Sequence, residues 1–125
     1  MTLRYLDFEF SENTEGIVTI DAMASVRPQD LAALHRELSL VLDWAHSHFP
    51  DGPGPADDGA PWDCDLQGTQ ERSVQERLHY DPQTRRLAST LGSAEAVRHT
   101  VTLSISGTAV FGEAFRERFG VGVAG

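Results

Sequence analysis

Hydrophobic and polar residues alternate in the first ten positions, a pattern typical of a half-buried β-strand. Leu6, Phe8 and Phe10 fall on one side of this predicted strand, and Asp7 and Glu9 fall on the other. The alternation therefore predicts a first strand with one face in the core and one face in solvent.

A second strand is predicted at 17–23, running on towards Val26. The residues between the two strands, 11–16, are Ser, Glu, Asn, Thr, Glu and Gly, which favour a turn. Because the connection is short and turn-forming, we expect the two strands to pair as an antiparallel hairpin.

The clearest element is a long amphipathic helix at 28–49. Pro28 suits the first helical turn, where its missing N–H costs no hydrogen bond, and Asp30 complements the helix dipole there. Apolar residues then recur at spacings of three and four, namely Leu31, Leu34, Leu38, Leu42, Ala45 and Phe49. Pro50 ends the helix, and the Gly-, Pro- and Asp-rich residues 50–61 are predicted to form a mobile loop.

Several further strands are predicted in the second half of the chain. Apolar and polar residues alternate at 62–67, and the segments 72–80 and 85–91 are interpreted as a hairpin about an Asp-Pro turn at 81–84. The segment 100–106 alternates most regularly, with a branched apolar residue at every second position.

A short C-terminal helix is predicted at 108–119. Phe111, Phe115 and Phe119 recur four residues apart and therefore share one helix face. Gly120 follows them as a helix stop. The element order is thus ββα-ββββ-α, which predicts a single α+β domain over 1–125. Its antiparallel sheet of about five or six strands is expected to carry both helices on one face.

Composition agrees with a folded domain. The chain has 125 residues, 40% of them hydrophobic and 23% charged, so it is long enough to bury one core without a disulfide or a metal. Cys64 is its one cysteine, which excludes an internal disulfide. The first residues lack the apolar segment of a secretion signal, and no apolar run is long enough for a membrane helix. Cytoplasmic localisation without membrane association is therefore expected.

Charge is distributed unevenly along the chain. Residues 1–70 hold thirteen acidic residues against three Arg, a balance of -10, and residues 71–125 hold six against seven, a balance of +1, which together give the net -9. In a compact domain this imbalance predicts a negative face that repels nucleic acid and anionic lipid headgroups. The same face would attract a basic protein partner.

The segment between the long helix and the next strand holds the residue types that bind metals. Its candidate ligands are His46, His48, Asp57 and Asp58. The two histidines lie two positions apart on a helix and so point in different directions, and the aspartates lack the spacing of a calcium loop. Solvated histidines at a helix end and an acidic loop are the favoured interpretation, so neither a metal nor a cofactor is predicted.

Asp63 and Asp65 lie on one face of the predicted strand, about 7 Å apart at roughly 3.3 Å rise per residue. Two carboxylates at this distance could serve acid–base chemistry, but the favoured interpretation is that both face water on the open side of the sheet. Cys64 lies between them and is expected in the core. The neighbouring negative charges should raise its pKa, which disfavours a thiolate nucleophile.

Leu40 and Trp44 lie one helical turn apart and away from the centre of the apolar stripe. An exposed Leu–Trp ridge would suit a partner or a second copy of the chain, so a homodimer is one partner hypothesis. The alternative is that Trp44 lies at the margin of the core.

These patterns favour a non-catalytic protein-binding module, of the type used in bacteria as adaptors, chaperones or toxin-neutralising proteins. Its interface candidates are Leu40, Trp44, Trp62, Asp63 and Asp65. The alternative is a small metal-dependent hydrolase that uses His46, His48, Asp63 and Asp65. No convergent set of catalytic residues is recognisable, so an enzyme is the less favoured interpretation.

Overall fold

A computed structural model describes residues 3–120, except for the side chains of Ser93 and Ala94; the rest of the predicted domain, residues 1, 2 and 121–125, lies outside this range. Its elements follow the chain in the order β1 (Glu9–Glu12), β2 (Val18–Val26), α1 (Pro28–His48), a 3-10 helix (Ala56–Asp58), β3 (Trp62–Asp81), β4 (Arg86–Gly107) and α2 (Ala109–Phe119). The predicted α+β fold with one antiparallel sheet and two helices is therefore confirmed.

The sheet has four strands in the order β1-β2-β4-β3, and every neighbouring pair is antiparallel. The predicted strands 62–67 and 72–80 are parts of one strand, β3, and 85–91 and 100–106 are parts of β4. This merging explains why the strand number is four rather than five or six. The predicted turn between the long strands is present, with Asp81 O accepting a hydrogen bond from Arg85 N at 2.8 Å.

The first strand begins later than predicted because an acidic side chain of α1 binds the segment before it. The Glu37 carboxylate accepts hydrogen bonds from the backbone N–H groups of Arg4, Tyr5 and Leu6 at 2.9–3.1 Å. These N–H groups are satisfied without a neighbouring strand, so the ladder starts only at Glu9. Leu6 and Phe8 still lie in the core, as the alternation predicted.

The core lies between the helices and one face of the sheet. Alternate residues of β2 and β4 are buried there: Val18, Ile20, Ala22, Ala24, Val26, Val101, Leu103 and Ile105. The helices contribute Leu34, Leu38, Val41, Trp44, Ala45, Phe111, Phe115 and Phe119. Both helices therefore cover the same face, as predicted, and the other face of the sheet is open to solvent.

The C-terminal helix has the predicted start and stop. Thr108 caps it by accepting a hydrogen bond from Phe111 N on its side-chain oxygen, at 3.2 Å. Gly120 ends it in the left-handed region, at φ 64°. Phe115 meets Phe8 edge to face, with ring centroids 5.0 Å apart, so the helix is fixed to the segment that precedes β1.

The Gly-, Pro- and Asp-rich loop 50–61 is attached to the start of β3. Gly54 N donates to Trp62 O at 3.0 Å, and the 3-10 helix occupies the middle of the loop. Gly52 is buried against the Trp62 ring, where an added Cβ would come within 2.6 Å of it. The predicted mobility of the remaining loop residues stays a prediction.

The β3–β4 hairpin continues well beyond the helices. Residues 70–98, which we call the arm, pair strand to strand and lack a helical cover, and no described side chain among them is buried. The pairing shifts register between Val74 and Glu76. The core-bearing part of the sheet therefore comprises β1, β2 and the ends of β3 and β4 nearest the helices.

Candidate functional site

The open face of the sheet carries a row of acidic side chains. In the strand register Glu9 is opposite Asp21, Asp21 is opposite Ser104, and Ser104 is opposite Asp65. Residues that are directly opposite each other in a sheet point to the same face. Glu9, Asp21 and Asp65 therefore form one line across all four strands, which we call the acidic row. All three are exposed.

Neutral side chains and one further aspartate surround the acidic row. Within the described residues, the same face presents Ser11, Thr19, Met23, Ser25, Asp63, Gln67, Thr69, Thr100, Thr102 and Ser106. None of these positions is basic, and Asp63 adds a fourth carboxylate beside the row. The first cation on this face is Arg98 at the base of the arm, where its Nε donates to Ser25 Oγ at 2.7 Å.

Neutral donors orient three of these carboxylates. Ser104 Oγ donates to Asp21 at 2.6 Å, Gln67 Nε2 donates to Asp65 at 2.8 Å, and the Cys64 backbone N–H donates to Asp63 at 2.9 Å. In the described part of the chain, none of the four acidic residues forms an ion pair. Their charges are fixed in place but not neutralised.

Asp63 and Asp65 lie where the sequence predicted them. Both point away from the helices, and Asp65 is exposed while Asp63 is half-buried. Cys64 points to the helix side and is half-buried. Burial raises the pKa of the Cys64 thiol, and the negative charges of the two aspartates raise that pKa further. The predicted direction of this pKa shift is confirmed, with burial as its largest cause.

The four candidate metal ligands do not form a cluster. His46 meets the Trp62 ring edge to face at 5.1 Å, whereas His48 stacks on Trp44 at 5.4 Å, so the two imidazoles contact different partners. Asp57 and Asp58 lie in the 3-10 helix of the loop. Across residues 3–120, no three His, Cys, Asp or Glu side chains are arranged to hold a metal ion.

Leu40 and Trp44 do not form an exposed ridge on α1. Trp44 is only 8% exposed, because α2 packs on that side of α1 and brings the rings of Phe111, Phe115 and Phe119 to within 5.6–5.7 Å of it. Of the two alternatives that the sequence left open for Trp44, the position at the core margin is the correct one. Leu40 is exposed without its predicted neighbour, and its role at an interface stays a prediction.

Trp62 is also a core residue rather than a surface anchor. It is 1% exposed, its Nε1 donates to Phe49 O at 2.9 Å, and its ring stacks on Phe111 at 5.7 Å. The alternation of 62–67 had already placed Trp62 on the inner face, so its inclusion among the interface candidates was wrong. Its indole, at the start of β3, therefore contacts both the residue that follows α1 and a ring of α2.

Two residues of the acidic row, Glu9 and Asp21, were not among the candidates from the sequence. A signal for them exists, because each falls on the polar side of an alternating strand in a predicted hairpin. Only the strand register and the β2–β4–β3 order bring them into line with Asp65. That long-range order is not readable from local patterns.

Neither helix in the described range combines the length and apolarity needed to cross a membrane. Comparison of the chain with protein-family models, with curated proteins and with solved structures finds no match.

Proposed function

We propose that this protein is a non-catalytic protein-binding module that recognises a basic surface of a partner protein through the open face of its sheet. The observation that supports the proposal is the acidic row of Glu9, Asp21 and Asp65, which lies among neutral side chains without an ion-paired cation. Uncompensated charge of one sign steers a partner of the opposite charge into contact.

The spacing of the row fits an extended partner better than a single small ion. Glu9 and Asp65 are three strand spacings apart, which is about 14 Å at roughly 4.8 Å between strands. One cation cannot bind carboxylates at this distance together, whereas several Arg or Lys side chains on a protein surface can. The short Ser and Thr side chains around the row leave the face flat enough for such a surface to approach.

Geometry gives no support to the hydrolase alternative. It requires His46, His48, Asp63 and Asp65 in one site. The two aspartates project from the open face, whereas the histidines lie at the end of α1 and contact tryptophans on the helix side. The sheet therefore separates the proposed acids from the proposed bases.

Affinity capture with charge-matched variants tests the proposal. Glu9→Gln/Asp21→Asn removes two charges from the acidic row, and Asp57→Asn/Asp58→Asn removes two charges from the 3-10 helix of the loop, outside the sheet. Lysate proteins retained by each immobilised variant are identified by mass spectrometry at low and at high salt.

Wild type and the loop variant should retain the same basic protein at low salt, because both keep the acidic row intact. The row variant should lose that protein, and high salt should release it from all variants. Equal loss in both variants would show that net charge alone attracts the partner. Retention by the row variant, or no retained basic protein, would also contradict the proposal.

A further inference from the structure

A pocket opens at one end of the sheet, where the loop 50–61 leads into β3. The wall on the loop side consists of residues with small side chains or none, namely Gly54, Ala56, Gly59 and Ala60. The wall on the sheet side is formed where β3 begins and β4 ends, and it includes Asp63 and Ser106. The pocket therefore combines a mostly apolar lining with a few polar groups, as ligand sites do.

The pocket has the size of a single side chain. Its volume is about 240 Å³, which is below the roughly 300–1,000 Å³ of sites that hold drug-sized ligands. Ile17 and Trp62 add apolar surface to the lining. Such a pocket suits the apolar stem and polar tip of one side chain better than a whole cofactor.

Asp63 is the one charged residue among those that line the pocket. Its Oδ1 accepts a hydrogen bond from Cys64 N at 2.9 Å, and its Oδ2 has no partner in the described part of the chain. The side chain is half-buried, so solvent ions screen its charge less than that of the exposed Asp65. A cation that enters the pocket therefore meets an unpaired and weakly screened carboxylate.

Ser106 is placed to bind the same group as Asp63. The two residues are directly opposite each other in the register, with their side chains on one face of the sheet and their Cβ atoms about 4.5–5.5 Å apart. The Ser106 hydroxyl makes no hydrogen bond within the described residues. A cationic group with several N–H donors can therefore bond to the carboxylate and to the hydroxyl at once.

An ammonium group fits these acceptors better than a guanidinium or a metal ion does. Lysine presents three donors on a compact charge, whereas the planar fork of arginine is matched by both oxygens of a carboxylate. Cys64 N already holds Oδ1 of Asp63, which leaves Oδ2 for a compact charge. A metal ion needs at least three convergent ligands, and the described residues offer no such group here.

We propose that this pocket binds one lysine side chain of the partner protein, with the ammonium between Asp63 and Ser106 and the stem against Ala56 and Ala60. The inference rests on the proposed function, because Asp63 lies about 7 Å along β3 from Asp65 of the acidic row, at roughly 3.3 Å per residue. A basic surface that contacts the row therefore also reaches the pocket. The row attracts that surface, and the pocket fixes its position.

NMR titration with amino-acid derivatives tests the pocket without the partner. The probe is N-acetyl-lysine methylamide, which should bind with a Kd of about 1–10 mM, the range expected for a ligand of this size. Its binding should shift the backbone amide signals of Ile17, Ala60 and Thr108, which line the pocket. The norleucine derivative has the same four-carbon stem without the charge and should bind at least about 10-fold more weakly. The arginine derivative should also bind more weakly than the lysine derivative.

Variants test whether the ammonium lies at Asp63. Asp63→Asn keeps an acceptor for Cys64 N but removes the charge, so it should weaken binding of the lysine derivative at least about 10-fold. Ala56→Leu keeps the charge but fills the pocket, and it should also abolish binding. Asp57→Asn/Asp58→Asn is the matched control, because neither side chain lines the pocket, and it should bind as wild type does. The amide spectrum of each variant shows whether it is folded.

Absence of saturable binding overturns the proposal, and so does equal binding of the norleucine or arginine derivative. A folded Asp63→Asn or Ala56→Leu variant that binds as wild type does also overturns it. Equal loss in Asp57→Asn/Asp58→Asn would show attraction by net charge alone, which contradicts a defined pocket. Failure of the proposed function is distinguishable, since partner capture depends on Glu9 and Asp21, whereas binding of the lysine derivative depends on Asp63.

Discussion

Glu9 and Asp21 are directly opposite each other on β1 and β2, on the exposed face of the sheet. Two like charges in this position repel each other and weaken the strand pairing. β1 has only four residues, so the repulsion acts on the shortest strand of the sheet.

Removing one of these charges should therefore stabilise the protein. We expect Glu9→Gln to raise the free energy of unfolding by about 0.2–1 kcal/mol, the usual size of a cross-strand charge effect. Urea denaturation measures the change. Glu15→Gln, in the exposed turn before β2, is the control and should have little effect. A destabilised Glu9→Gln variant would show that Glu9 contributes to the fold in another way.

Glu37 should be important for the N-terminal segment. Its carboxylate accepts hydrogen bonds from three successive backbone N–H groups, those of Arg4, Tyr5 and Leu6. Glu37→Ala removes every acceptor, and we expect a loss of about 1–3 kcal/mol in the free energy of unfolding. Amide hydrogen exchange at residues 4–6 should accelerate in the variant. Asp43→Asn, an exposed change on the same helix, should leave both measurements unchanged.

Cys64 should react slowly with thiol reagents near neutral pH. Burial, and then Asp63 and Asp65, raise the pKa of its thiol above the reference value of 9.0, so the thiolate is scarce. Disulfide-exchange rates should increase in Asp63→Asn/Asp65→Asn but remain below those of a free peptide thiol, because burial persists. A rate equal to that of the free thiol in wild type would contradict this account.

The same pKa shift predicts a pH dependence of stability. A raised pKa in the folded state means that the thiol contributes stability below the unfolded-state pKa and loses it as pH rises through the folded-state pKa. Above about pH 9.0, wild type should therefore lose stability more steeply than Cys64→Ala. Parallel curves for the two proteins, from urea denaturation between pH 7 and 10, would contradict the prediction.

Gly52 should not tolerate a side chain. A Cβ at this position would lie 2.6 Å from the Trp62 ring, and Trp62 is fully buried. We expect Gly52→Ala to cost about 1–3 kcal/mol, the usual cost of overpacking a core, and to alter tryptophan fluorescence. Gly68→Ala is the control, since no atom lies within 4 Å of its added Cβ. Equal stability of the two variants would mean that the loop moves away from Trp62 without cost.

Local patterns predicted most of the fold. The spacing of Leu34 and Leu38 in α1, and of Phe111 and Phe115 in α2, predicted both helices within one residue of their ends. These predictions succeeded because one face of each helix is buried and the other is solvated, so the sequence repeats with the helical period. The hairpin turn after Asp81 was likewise predicted by its turn residues.

The remaining features depend on contacts that local patterns do not encode. Trp44 is buried by α2, which lies more than 60 residues further along the chain, so its position on α1 alone could not show this. The hairpin of the arm was predicted, but its continuity with the rest of β3 was not, because polar residues occupy both faces of the strand between Gly68 and Val74 and interrupt the alternation of a half-buried strand. The acidic row depends on the order of the four strands, which sequence periodicity does not specify.

The affinity of the captured basic partner for charge-matched variants tests the central claim most directly. Titration calorimetry would compare wild type, Glu9→Gln/Asp21→Asn and Asp57→Asn/Asp58→Asn at low salt. At about 0.5–1 kcal/mol for each exposed charge, we expect the row variant to bind about 5- to 30-fold more weakly than wild type. The loop variant should bind as wild type does. Equal affinities for the row variant and the wild type would contradict the assignment of the acidic row as the binding surface.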